Sequence, residues 1–154
     1  MATLAKDFSS PQITWRPLTV DDLAYVAALE SQIHAAPWSL GNFRDALAAG
    51  YSARVAEREG RIIAYGVLML GPGEAQLLNL SVVPDARRQG IGRMLLAQFL
   101  VDARRLGAEQ IFLEVRAGNR AAIALYETRA SPRSGDALPI THRHIHRRRA
   151  KTRW

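Results

Sequence analysis

Two side chains in the second half of the chain have the chemistry to move protons. Glu114 lies in the apolar segment 110–115, where a carboxylate without a partner would be costly. It either forms an ion pair with Arg116 or Arg120, or accepts a proton as a partly desolvated base. Tyr126 lies on a predicted helix, where an aromatic ring usually packs in the core, but its phenol could also donate a proton. The two residues are candidates for an acid–base pair.

A run of arginine and glycine residues is a second candidate for chemistry. Its members are Arg87, Arg88, Gln89, Gly90, Ile91, Gly92 and Arg93. The run follows a predicted strand and opens a predicted helix, whose free backbone N–H groups favour an anion. Glycines let a phosphate approach the backbone closely. The spacing matches neither the P-loop nor the dinucleotide-binding fingerprint, so the segment predicts either a phosphate site of another kind or a plain turn.

The elements that position these residues follow from the periodicity of the apolar side chains. The predicted strands cover residues 12–18, 52–57, 61–70, 75–83 and 110–115, and the predicted helices cover residues 19–33, 40–49, 92–106 and a last segment that begins at Asn119. Hairpin-linked strands followed by a strand–helix–strand unit predict one α/β domain. We expect a mixed, mostly antiparallel sheet flanked by helices.

Composition excludes several classes of protein. The 154 residues are enough for one domain with a real core, and no cysteine is present to form a disulfide, a thiol nucleophile or a zinc ligand. No apolar run is long enough to span a membrane, and the first residues lack a secretory signal, so we expect a cytoplasmic protein. We predict no metal site, although His142, His144 and His146 alternate near the end. His34 is predicted to be a surface or capping residue.

The net charge of +7 is concentrated at one end of the chain. Residues 1–128 contain 13 basic and 13 acidic side chains, whereas residues 129–154 contain eight basic side chains and one acidic one. The composition therefore predicts a neutral body and a basic, disordered tail. Such a tail would contact nucleic acid only non-specifically, through phosphates. A basic RNA-binding protein is the non-enzymatic alternative that this charge allows.

Four segments together resemble the GNAT N-acetyltransferase superfamily, and within it the RimI-type branch. They are residues 79–82, the run 87–92, residues 113–119 and residues 124–127, and the resemblance covers roughly residues 12–128. It implies the GNAT fold and acetyl-CoA as co-substrate. It also implies transfer of the acetyl group to the α-amine of a protein, namely the N-terminal alanine of ribosomal protein S18. Acetylation of a small-molecule amine on the same scaffold is the enzymatic alternative.

The resemblance implies a role for each candidate residue. Glu114 would take a proton from the α-amine, and Tyr126 would protonate the departing thiolate. Trp38 would line the substrate groove, although plain packing explains it equally well. The residues that would contact the cofactor are Leu80, Ser81, Val82, Arg87, Arg88, Gln89, Gly90, Ile91, Gly92, Arg93 and Asn119. Backbone N–H groups of the strand 80–82 would polarise the thioester oxygen, provided that this strand separates from the strand 111–115.

The resemblance ends near residue 128, which divides the chain into a GNAT domain, 1–128, and a basic tail, 129–154. Codons exist for residues 129–135 that, read in a shifted frame, give Gly-Phe-Thr-Glu-Ile-Gly, which is the kind of continuation the family shows. The hypothesis is that the tail arises from a frameshift. We then expect no strand in the tail, the last strands of the sheet missing or replaced by it, and the strand 111–115 as an exposed edge. An inactive remnant is the corresponding alternative.

Overall fold

The computed structural model describes residues 12–116 and 140–145, with the side chains of residues 12–113. Its six strands are β1 Ile13–Pro17, β2 Ser52–Arg58, β3 Arg61–Gly71, β4 Glu74–Val82, β5 Gln110–Arg116 and β6 Ile140–Ile145. Its three α-helices are α1 Leu23–Ile33, α2 Leu40–Ala48 and α3 Ile91–Arg105, and single 3-10 turns at Val20–Asp22 and Pro84–Ala86 precede α1 and α3. The elements predicted within residues 12–116 are confirmed.

The strands form one sheet in chain order. The pairs β1–β2, β2–β3 and β3–β4 are antiparallel, whereas β5 pairs parallel with β4 and with β6. A parallel pair needs a crossover connection, and α3 provides it between β4 and β5. The predicted mixed, mostly antiparallel α/β sheet is confirmed.

The expectation that no strand lies in residues 129–154 is wrong for Ile140–Ile145. These residues form β6, which pairs with β5 from Ile111↔Ile140 to Arg116↔Ile145, so β5 is not the edge of the sheet. The physical reason is that backbone N–H and C=O groups along an open edge require partners, and an extended segment satisfies them whatever its side chains. The predicted last helix from Asn119 and the rest of the tail lie outside the described residues.

Apolar side chains form two separate clusters, one on each face of the sheet. The cluster under α3 includes Leu68, Leu77, Ile91, Leu95, Leu96, Phe99 and Ile111. The cluster under α1 and α2 includes Leu23, Val26, Phe43, Val55, Tyr65 and Val67. The two faces of the sheet are therefore covered by different helices, and each face has its own core.

A β-bulge in β4 changes which residues face each helix. Val67 pairs with Asn79 and the next residue of β3 pairs with Leu77, so Leu78 is an extra residue without a partner. Leu77 packs under α3, but after the bulge the alternation is reversed. As a result Asn79 and Ser81 face α1, whereas the side chains of residues 80 and 82 pack under α3.

Helix α3 lies directly against the middle of β3. The contact is made at Gly66, where a Cβ atom would lie 2.6 Å from Cε2 of Phe99 and 2.7 Å from the backbone oxygen of Asn79. Ring and carbonyl are both held in place, since Phe99 is fully buried and the oxygen belongs to β4. Only a residue without a side chain fits here.

An ion pair at the start of α1 makes stability depend on pH. Arg16 donates to both carboxylate oxygens of Asp22, at 2.7 and 2.8 Å, and holds the pKa of Asp22 near 2 rather than its ordinary 3.8. A depressed pKa stabilises the folded state above pH 3.8, and this contribution is lost as the pH falls through about 2. We expect Asp22→Asn to lower the free energy of unfolding by roughly 1–2 kcal/mol at pH 6 and by almost nothing near pH 2.

Urea unfolding of wild type and Asp22→Asn across this pH range measures the difference. The control is Asp21→Asn, which removes an exposed carboxylate from the neighbouring position. A stability difference for Asp22→Asn that stays constant between pH 6 and pH 2 would contradict the assignment.

Candidate active site

A gap opens between β4 and β5 halfway along both strands. The two strands pair only from Glu74↔Gln110 to Leu77↔Leu113, so the second half of β4 is paired with β3 alone. Residues 80–82 are therefore separated from β5, as their predicted contact with a thioester requires. One side of this gap is formed by the backbone groups of β4 that point away from β3, and no described strand pairs with them.

The backbone of β4 offers hydrogen-bond donors to this gap. The N–H of Val83 donates to Ile63 of β3 at 2.9 Å, and successive peptide groups along a strand point to opposite sides. The N–H groups of Leu80 and Val82 therefore point away from β3 into the gap, and the N–H of Ser81 points towards β3. Two of the three residues predicted to bind a thioester thus present a free N–H group to the gap.

The loop of residues 87–92, which contains Gly90 and Gly92, follows β4 and lies at the open end of the gap. Arg88 and Gly90 have the positive φ angles 63° and 78°, which turn the chain sharply into α3. Residues 91–93 form the first turn of α3, where N–H groups have no acceptor within the helix, and the first helical bond runs from Met94 to Gly90 at 3.0 Å. Free N–H groups at the positive end of a helix dipole favour an anion, so this geometry is compatible with the predicted phosphate site.

Three side-chain contacts hold the loop in this shape. Nε of Arg87 donates to the backbone oxygen of Val82 at 3.1 Å. The side chain of Gln89 receives a bond from Arg58 at 2.8 Å and donates to the backbone oxygen of Asp85 at 3.3 Å. Arg87 and Gln89 therefore fix the loop to the sheet. The side chains of residues 88 and 93 are exposed at the helix N-terminus, where they add positive charge.

A buried carboxylate on the opposite face of β4 was not foreseen from the sequence. Glu30 of α1 is 2% exposed and accepts three hydrogen bonds. They come from the hydroxyl of Tyr65 at 2.5 Å, from Nδ2 of Asn79 at 3.1 Å and from the backbone N–H of Trp38 at 3.1 Å. Burial and the bond to Glu30 raise the pKa of Tyr65, so its hydroxyl stays protonated and remains a donor.

The ring of His34 continues this network to the surface. His34 ends α1 as its C-cap, as predicted, but its ring also reaches β4, where Nε2 lies 2.8 Å from Oγ of Ser81. Ser81 in turn donates to Oδ1 of Asn79 at 2.9 Å. Nε2 of His34 also lies 3.7 Å from Oε2 of Glu30, and the His34 side chain is 35% exposed. A chain of polar groups therefore runs from solvent to the buried carboxylate.

Trp38 lies beside this network, in the loop between α1 and α2. Its ring packs against Phe43 with 5.1 Å between ring centroids, at the border of the α1/α2 cluster. Trp38 therefore has the packing role that was one of its two predicted roles. Its predicted role in a substrate groove remains a prediction.

The predicted acid–base residues lie at or beyond the limit of what the structure describes. Glu114 is the first residue of β5 after the last pair with β4, so its backbone lies where the gap opens. Its side chain, together with Asn119 and Tyr126, falls outside the described part of the chain. Their roles therefore remain predictions. The structure places the backbone of Glu114 directly after the last residue of β5 that pairs with β4.

Comparison with known proteins identifies the class to which this fold and site belong. Residues 16–130 match the model of the acetyltransferase (GNAT) family, so the chain belongs to that family. Within the family its similarity is to the RimI type. It is 37% identical over 111 residues to the [ribosomal protein bS18]-alanine N-acetyltransferase of Escherichia coli K12, covering 72% of this chain and 75% of the relative. A Haemophilus influenzae protein of the same name is 28% identical, with 69% and 72% covered.

Solved structures agree with this assignment. The ribosomal-protein-S18-alanine N-acetyltransferase from Escherichia coli superimposes with a TM-score of 0.71 and 36% identity, over 76% of each chain. The PaiA N-acetyltransferase from Thermoplasma acidophilum, solved with coenzyme A, shares the fold with a TM-score of 0.68 at 17% identity, over 76% of this chain and 87% of that one. None of these relatives is named for RNA binding, so the expected contact of residues 129–154 with RNA gains no support from them. No helix within the described residues is long and apolar enough to cross a membrane.

Proposed function

We propose that the protein transfers the acetyl group of acetyl-CoA to the α-amine of an N-terminal alanine, that of ribosomal protein S18. The observation that carries the proposal is the gap between β4 and β5, which opens next to the free N-terminus of α3. One extended ligand can lie along the gap and place its phosphates on the helix. The 37% identity to the Escherichia coli enzyme supports this acceptor. Since ribosomal proteins are assembled in the cytoplasm, the proposal also places the enzyme there.

The groups around the gap fit the parts of acetyl-CoA. Its pyrophosphate is anionic, which suits the free N–H groups of residues 91–93 and the exposed charges of Arg88 and Arg93. Its pantetheine amides and thioester oxygen are hydrogen-bond acceptors, which suit the N–H groups of Leu80 and Val82. A donor aimed at the thioester oxygen stabilises the negative charge that develops there during attack. Asn119 is proposed to contact the same ligand.

Proton transfer is assigned to the two residues predicted from the sequence. A free α-amine has a pKa of about 7.7–8.0 and must lose a proton before its lone pair can attack the acetyl carbon. Glu114 takes that proton, and its place in β5, where the gap begins, supports this role. The carbon–sulfur bond then breaks, and Tyr126 protonates the thiolate. Trp38 borders the acceptor on the α1/α2 side.

The decisive experiment compares acceptors under identical conditions. Purified protein and acetyl-CoA are incubated with a peptide that carries the S18 N-terminus, with the same peptide blocked at its α-amine, or with polyamines and aminoglycosides. Acetylation of the free peptide alone supports the proposal. Turnover of the polyamines or aminoglycosides instead would favour the small-molecule alternative. No turnover together with no thermal stabilisation by CoA would indicate an inactive remnant.

Gly90→Ala tests the proposed pyrophosphate loop. Gly90 has a φ of 78° and no neighbouring atom within 4 Å of the position of a Cβ, so the substitution strains only the backbone, at a cost of about 1 kcal/mol. Because that strain displaces the loop, we expect KM for acetyl-CoA to rise several-fold while KM for the peptide stays constant. Gly73→Ala is the matched control, since Gly73 has a φ of 70° and equally open surroundings in the β3–β4 turn. Equal changes of KM in both variants would contradict the assignment.

A further inference from the structure

The overall chemistry of the proposed reaction requires two protons to leave the acceptor nitrogen. An α-ammonium group carries three hydrogens, and the amide that it becomes carries one. The proposed function gives one of these protons to Glu114 and provides no acceptor for the other. A second base near the gap would complete the sequence of proton transfers.

His34 has the position that such a base needs. Its ring contacts Ser81 on the face of β4 opposite α3, beside the two residues whose N–H groups point into the gap. The anion site lies at the N-terminus of α3, and the His34 ring lies on the α1/α2 side of the same strand. Acetyl-CoA and the peptide that receives the acetyl group can therefore approach β4 from opposite faces. His34 lies on the face that the peptide approaches. Its 35% exposure leaves part of the ring open to an incoming group.

The hydrogen bonds around His34 define which ring nitrogen is free. Ser81 donates its own hydrogen to Asn79, so we assign its oxygen as the acceptor of Nε2–H of His34. Nδ1 then carries the lone pair, and no group of residues 12–113 bonds to it, so it is available to take a proton. Once protonated, the imidazolium lies 3.7 Å from the carboxylate of Glu30, which compensates the new charge.

The buried carboxylate is otherwise unexplained. A carboxylate that is only 2% exposed is costly even with three donors, and an apolar residue would fill the space between α1 and the sheet without that cost. Its neighbours Tyr65 and Asn79 are uncharged, so its charge is not neutralised by them. Within the described residues the one group near it that can become a cation is His34.

We propose that His34, held by Ser81 and backed by Glu30, is a second proton acceptor for the acetyl transfer. As the carbon–nitrogen bond forms, Nδ1 takes the second proton from the nitrogen, the carbon–sulfur bond breaks, and the sulfur receives a proton from Tyr126. His34 and Glu114 then release their protons to water and Tyr126 regains one, so one proton is released per turnover. This inference rests on the proposed function and adds a residue to its acceptor side.

The test compares His34→Gln and His34→Ala with wild type on the S18 peptide. Glutamine can still donate to Ser81 but has no basic nitrogen, so kcat should fall about 10- to 100-fold with KM for acetyl-CoA unchanged. Added imidazole should restore part of kcat in His34→Ala and have no effect on wild type. Gln32→Ala, at an exposed position of the same helix, is the control and should behave as wild type.

Three outcomes would overturn the inference, and they are distinguishable. A wild-type kcat in His34→Gln shows that no proton passes through the ring. A low kcat that imidazole does not restore, combined with reduced thermal stability, shows that the ring only supports the fold. A wild-type protein that does not acetylate the peptide overturns the proposed function, and the inference with it.

Discussion

Replacing Glu114 by glutamine is expected to lower kcat for the S18 peptide by about 10²- to 10⁴-fold, with KM for acetyl-CoA nearly unchanged. Glutamine has the size of glutamate but cannot accept the proton of the α-ammonium group. Glu114 follows the last pair between β4 and β5, so its backbone lies beside the gap in which the reaction is proposed. Tyr126→Phe should act on the same parameter, since it removes the proton that the thiolate receives.

Initial rates over a matrix of both substrate concentrations separate kcat from the two KM values. Glu109→Gln is the control, because Glu109 is an exposed carboxylate immediately before the same strand. A Glu114→Gln variant with wild-type kcat but reduced thermal stability would identify Glu114 as an ion-pair partner of Arg116 or Arg120. That result would leave the acetyl transfer without its proposed first base.

Gly66→Ala is expected to lower the free energy of unfolding by about 2–3 kcal/mol. The added methyl group would lie 2.6 Å from the ring of Phe99 and 2.7 Å from the backbone oxygen of Asn79, closer than either contact tolerates. Relief requires α3 or β4 to move, and both form the proposed cofactor site. We therefore expect weaker binding of CoA as well, measured as a smaller thermal shift at equal ligand concentration.

Two further variants isolate the cause of this loss. Gly71→Ala lies on the same strand without a positive φ. The backbone oxygen of Glu74 would be 4.0 Å from the added methyl group, so the substitution should change stability by less than about 0.5 kcal/mol. In Gly66→Ala/Phe99→Leu the smaller side chain makes room, so the double variant should lose less than the sum of the two single losses. Additive losses in that cycle would contradict the proposed clash with Phe99.

Regular patterns in the sequence were sufficient to predict the elements and the loop. Alternating and helical spacing of apolar residues located β1 to β5 and α1 to α3, because each element buries one face. The segment around Gly90 was recognised because a glycine turn between a strand and a helix has a distinctive composition. Such local signals are contained within a few consecutive residues, so they can be read without knowledge of the fold.

The Glu30 network could not be predicted in this way. Glu30 and Asn79 are 49 residues apart, and His34 and Ser81 are 47 apart, so no local pattern connects them. The bulge at Leu78 decides that Asn79 and Ser81 face α1, and plain alternation from Leu77 would have placed them under α3. A glutamate at an apolar position of a helix was the one available signal. Without a known partner it indicates burial but not function.

Strand β6 was missed for a different reason. Its residues, Ile-Thr-His-Arg-His-Ile, are followed closely by three arginines at 147–149 and were interpreted by charge, which predicts disorder. Pairing with β5 is a backbone interaction, and charge in the side chains does not forbid it. The frameshift hypothesis for residues from about 129 onward is independent of this strand, and sequencing of the coding DNA around codon 129 tests it. One intact frame with unrelated codons would exclude it.

The separation of the core into two clusters has a consequence for how this enzyme can change over generations. The α3 cluster supports the loop that is proposed to hold acetyl-CoA, and the α1/α2 cluster supports His34, Trp38 and the acceptor side. The two clusters lie on opposite faces of the sheet, and substitutions without shared partners contribute additively to stability. Mutation and selection can therefore remodel the acceptor side towards a new amine while the donor side is inherited unchanged.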